Sequence, residues 1–65
     1  MMKTLENLFE MRNNRYDRLY LNEQKISTFC SADNMQDSVA AWEQENRLLR
    51  LEIRNLNEQI AAKNA

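Results

Sequence analysis

Four basic side chains, Arg12, Arg15, Arg18 and Lys25, lie in the first half of the chain among Asn13, Asn14, Tyr16 and Tyr20. This is the stretch whose residue types suit nucleic acid, because arginines contact phosphates while Asn and Tyr reach base edges. Asp17 and Glu23 dilute the charge, and a net charge of −1 argues against a general affinity for nucleic acid or an anionic membrane. Cys30 is the single thiol, so it has no internal disulfide partner. It could act as a redox sensor or an intermolecular crosslink. With no basic neighbour in the adjoining sequence to lower its pKa, it reads instead as a small buried apolar residue. Trp42 and the two tyrosines could stack bases, but their helical positions place them in a core. The chain has no His and no Gly, which removes the usual proton shuttle and the phosphate-cradling loop, and no thiol or imidazole cluster is present to hold a metal. The expectation is a non-enzymatic protein without cofactor, metal or small-molecule substrate.

The elements that carry these residues follow from composition and period. A chain of 65 residues permits one domain at most, and self-association is the staple available to it. Without Gly or Pro, tight hairpin turns have no home, so the fold class is all-α. The opening residues Met1 to Glu6 do not resemble a signal peptide, and no apolar run approaches the roughly 20 residues that span a bilayer. A reduced, cytoplasmic protein is expected, or a nuclear one in a eukaryote.

The strongest pattern runs from Val39 to Lys63. Residues Val39, Trp42, Asn46, Leu49, Ile53, Leu56, Ile60 and Lys63 alternate spacings of three and four, placing Val39, Asn46, Ile53 and Ile60 at heptad a and the others at d. Branched residues at a with Leu at the middle d positions favour two parallel strands, and a lone Asn at a fixes register and strand number by meeting its own copy. Glu45 at g then faces Arg50 at e of a second copy, a pair contributing about 0.2 to 1 kcal/mol. With Asn46 set among Leu49, Ile53, Leu56 and Ile60, this segment resembles the leucine zippers of bZIP transcription factors. The resemblance implies a parallel two-stranded homodimer and no particular activity. It departs from the family at the bulky Trp42 and at Lys63, and the dense basic region that precedes such zippers has no counterpart.

The first helix is predicted from Thr4, its N-cap, to about residue 26. Leu5, Leu8, Phe9, Tyr16, Leu19, Tyr20 and Ile26 share its apolar face, which Arg12 and Glu23 interrupt. A break at 27–33 follows, with Ser31 or Asp33 expected to cap a second helix from about residue 34 to 64. Residues 1–30 thus form an N-terminal segment and 31–65 the dimerisation helix. The favoured arrangement is a zipper with a separate N-terminal head, in which two first helices cross antiparallel and set Arg12 against Glu23. A helical hairpin is the competitor; it would cover the outward-facing Leu48 and Leu51 and set Arg12 near Glu52.

These readings converge on a homodimeric interaction or regulatory protein. Val39, Trp42, Asn46, Leu49, Ile53, Leu56, Ile60, Glu45 and Arg50 would form the dimer interface, and Leu5, Leu8, Phe9, Leu48 and Leu51 would meet a protein partner. A nucleic-acid-binding regulator using Arg12, Arg15, Arg18 and Lys25 is the alternative, and a structural scaffold assembled through Leu48 and Leu51 is the third.

Overall fold

The computed structural model describes residues 4–64, and among these the chain is two long helices folded against each other. Helix α1 spans Leu5–Phe29 and α2 spans Gln36–Asn64, joined through a 3-10 turn at Asp33–Met35. The hairpin measures 48 × 19 × 14 Å, so its thickness is that of two packed helices.

Thr4 starts α1 as its type predicts. Its backbone is extended (φ −75°, ψ 162°), and its hydroxyl accepts a hydrogen bond from the Asn7 amide at 3.1 Å. Glu6 adds negative charge to the first turn, where the helix dipole favours it. The helix then continues past the predicted end at residue 26 to Phe29.

A reversal without glycine needs another device, since no described residue has positive φ. Ala32 turns extended (φ −87°, ψ 116°), its amide donates to Phe29 O at 3.0 Å, and Met35 N donates to Ala32 O at 3.1 Å. The Gln36 side-chain amide closes the corner by donating to Cys30 O at 3.1 Å and to Ala32 O at 2.9 Å. The Cys30 carbonyl, left over at the end of α1, is thereby satisfied from the start of α2. The expected caps are corrected here: Ala32 precedes the 3-10 turn with no side-chain capping bond, and neither Ser31 nor Asp33 supplies one. Asp33 and Asp37 still place negative charge in the opening turns.

The expectation of a separate N-terminal head is also corrected. Helix α1 folds back along α2, and Leu8 packs with Leu56 and Ile60 in a core edged by Leu5, Phe9 and Met11. Within the hairpin Arg12 bonds Asn57, and Glu23 meets Arg50. Leu48 and Leu51 remain 56% and 57% exposed although α1 has folded back, because α1 covers the heptad stripe of α2 rather than its outer side. Tyr16 and Tyr20, read as core, are exposed, and so is Cys30.

Candidate functional site

The functional surface with the clearest sequence basis is the stripe of α2, and its structure can be followed residue by residue. Val39, Asn46, Leu49, Ile53, Leu56 and Ile60 are all buried, with Trp42 partly so. What covers them is α1. Its residues Leu5, Leu8, Arg12, Arg15, Leu19, Asn22, Ile26 and Phe29 recur at spacings of three and four, and every one is buried or half-buried. The hairpin is therefore an antiparallel pairing of two heptad stripes within one chain.

At the turn end, Phe29 meets Trp42 with ring centroids 6.0 Å apart and tilted by 40°, while the Lys25 ammonium sits 5.6 Å from the Trp42 ring centre. At the far end is the apolar cluster of Leu8, Leu56 and Ile60. Between them lies a polar layer. Asn22, with no exposed surface, donates through Nδ2 to Asn46 Oδ1 at 3.0 Å and also to Glu45 Oε1. Glu45 Oε1 in addition accepts from Arg18 Nε at 2.7 Å. Hydrogen bonding from Arg18, and then from Asn22, holds the Glu45 carboxyl below the usual carboxylate range, and Arg18 is correspondingly raised. Asn22 Oδ1 is buried with no donor among the described residues, and so is Arg12 Nε without an acceptor. An unmet polar atom of this kind costs about 1 to 3 kcal/mol, so the α1–α2 contact is imperfect where α1 brings polar residues to the seam.

Ion pairs flank the stripe on both sides. Arg15 Nε bonds Glu52 Oε2 at 2.8 Å, and Arg50 Nη2 reaches Glu23 Oε1 at 3.4 Å. Arg12 Nη1 donates to Asn57 Oδ1 at 3.1 Å while its guanidinium lies 5.1 Å from the Phe9 ring centre. The cations considered for nucleic acid, Arg12, Arg15, Arg18 and Lys25, are thus all directed at α2. A phosphate would have to draw Arg15 and Arg18 away from Glu52 and Glu45. Arg15, rather than Arg12, is the residue that reaches Glu52.

The residues considered for a protein partner divide. Leu8 is 0% exposed beneath α2, Leu5 and Phe9 are half-buried beside it, and Leu48 and Leu51 face outward. Sequence reasoning missed Asn22 altogether. Its signal was positional: it stands seven residues after Arg15 and seven before Phe29 on α1, in a stripe that only becomes visible when Arg12 and Arg15 are also admitted to it.

Two hollows lie beside the hairpin. One of about 370 Å³ is lined by Glu23, Ile26, Ser27, Glu43, Asn46, Arg47 and Arg50, and another of about 260 Å³ by Met11, Arg15, Glu52, Asn55, Leu56 and Gln59. Both are open grooves. Among the described residues, no group of three or more His, Cys, Asp and Glu side chains could hold a metal ion, and no helix is long and apolar enough to cross a membrane. Comparison with family models, curated proteins and solved structures finds no match for this chain.

Proposed function

We propose that this chain is a non-enzymatic interaction protein that homodimerises through α2 as a parallel zipper and meets a protein partner through α1. The observation that carries the reading is the α2 stripe itself. Val39, Leu49, Ile53, Leu56 and Ile60 are spaced to fill the seam of a two-stranded coil, with one polar residue, Asn46, at an a position where it specifies strand number. The buried surface of the hairpin is largely this stripe, so the residues that hold α1 are those suited to a second α2. On α1, Leu5 and Phe9 flank Leu8 at helical spacing, the pattern by which an amphipathic helix enters a groove.

Sedimentation equilibrium across a concentration series tests the dimer. Wild type passes from monomer to twice the monomer mass, and Ile53→Asp stays monomeric; a wild type that remains monomeric up to millimolar concentration refutes homodimerisation. For the partner, a protein bound by wild type must be lost from Leu5→Ala with Phe9→Ala and retained by Arg15→Glu with Arg18→Glu. The reverse result, joined to steep salt dependence, would favour nucleic acid.

A further inference from the structure

The two pairings open to α2 use the same atoms. In a parallel dimer Asn46 meets Asn46 of a second copy, Glu45 meets Arg50, and Arg50 meets Glu45. In the hairpin, Asn46 meets Asn22, Glu45 meets Arg18 at 2.7 Å, and Arg50 meets Glu23 at 3.4 Å. Helix α1 thus offers an amide, a guanidinium and a carboxylate to the three polar groups of α2 that the zipper would employ. We infer that α1 is a built-in competitor for the α2 stripe, so that the hairpin is the closed monomer and a second copy's α2 must displace α1 to form the parallel dimer. This rests on the homodimer reading and adds its regulation.

Quality of fit and proximity pull in opposite directions, which is what makes the competition responsive. On α1 the stripe contains Arg12, Arg15 and Asn22, and two polar atoms there, Arg12 Nε and Asn22 Oδ1, are buried without a partner. On α2 the stripe has Asn46 and, at its far end, Lys63. A second α2 is accordingly the better-matched helix, since it brings one polar residue to the middle of the seam where α1 brings three. Helix α1, however, is tethered by a short turn, which gives it an effective concentration in the millimolar range. A seam of two helices holds one partner at a time. Any protein that captures α1 through Leu5, Leu8 and Phe9 therefore withdraws the competitor and favours the dimer, because Leu8 cannot be in a partner's groove and beneath Leu56 together.

The test uses the full chain with Cys30→Ser and Lys63→Cys, so that a parallel in-register dimer brings the two substituted d positions face to face and an added two-electron oxidant, diamide, couples the two thiols into a disulfide-linked dimer. Arg18→Glu with Glu23→Arg turns two of the three α1–α2 ion pairs repulsive, sparing Arg15–Glu52, and leaves α2 untouched. This pair should tighten dimerisation by roughly tenfold in dissociation constant and raise the crosslink yield at fixed concentration. Arg12→Leu with Arg15→Leu improves the α1 stripe and should weaken dimerisation by roughly tenfold or more. Dimers whose affinity and crosslinking are unchanged in both variants would overturn the competition while leaving the homodimer standing. Absence of dimer in every variant up to millimolar concentration would remove the homodimer, and the competition with it.

Discussion

Leu8→Ala separates the hairpin from an arrangement in which α1 stands apart. Leu8 has no exposed surface and is packed with Leu56 and Ile60, with Leu5, Phe9 and Met11 around it. Truncation removes three heavy atoms at a site walled by two helices that are held together along their length, so little collapse can fill the space. A buried Leu→Ala change of this kind costs about 2 to 5 kcal/mol. A chain of 65 residues has a total stability of about 3 to 10 kcal/mol, at the usual amount per residue. From about a fifth of the stability to all of it should therefore disappear. With a urea dependence of about 1 kcal/mol per molar, the unfolding midpoint should fall by at least about 2 M, or the chain should be largely unfolded in water. Tyr20→Ala is the control: Tyr20 is 62% exposed, and its loss should change stability by no more than about 0.5 kcal/mol. Circular dichroism at 222 nm, at the lowest concentration that gives a signal, reads both variants on the monomer. If Leu8→Ala and Tyr20→Ala shift the midpoint equally, the packing of α1 on α2 is refuted.

The amide pair should behave as a unit. Asn46→Leu leaves Asn22 only its bond to Glu45 and one amide hydrogen against a methyl group, and should cost about 1 to 3 kcal/mol, whereas Asn22→Leu with Asn46→Leu should cost less than the two single changes summed, which a thermal-melt double-mutant cycle would resolve. Acid should loosen the hairpin through Glu45. Its carboxyl pKa is lowered by folding, so the stabilisation is complete above the unfolded value of about 4.3 and is lost as pH falls from there through the folded value; Glu45→Gln should flatten this part of a stability–pH curve. Cys30 is exposed, so a thiol reagent should modify it in the folded protein nearly as fast as in urea, and strong protection in the native state would contradict its place in the turn.

Much of the α2 half was legible because its signal is local. Branched residues and leucines at alternating spacings of three and four define a stripe whatever covers it, and Val39, Asn46, Leu49, Ile53, Leu56 and Ile60 are indeed the buried residues of α2. The N-cap at Thr4 was legible for the same reason, since a hydroxyl three residues from a free amide needs no tertiary information. The turn was placed correctly within a few residues by its run of poor helix formers, but its closure by Gln36 depends on a side chain from beyond the break, and composition does not encode that.

The face of α1 was misread for a reason that bears on its role. Apolar residues alone select Phe9, Tyr16 and Tyr20 together with Leu5, Leu8, Leu19 and Ile26, a broad face that drifts around the helix. The stripe that actually packs leaves out the two tyrosines, keeps Phe9 only at its edge and takes in Arg12, Arg15 and Asn22, whose polar atoms are answered by Asn57, Glu52, Asn46 and Glu45 of α2. Those complements are non-local, so no periodicity in α1 reveals them. A helix patterned by its partner's polar groups is matched to that partner in one register and antiparallel sense, whereas a purely apolar face would tolerate several. The same substitution weakens the contact, leaving Arg12 Nε and Asn22 Oδ1 buried and unanswered. Specific orientation combined with an imperfect seam is what a displaceable cover requires: α1 finds one place on α2 and is not held there as firmly as an apolar helix would be.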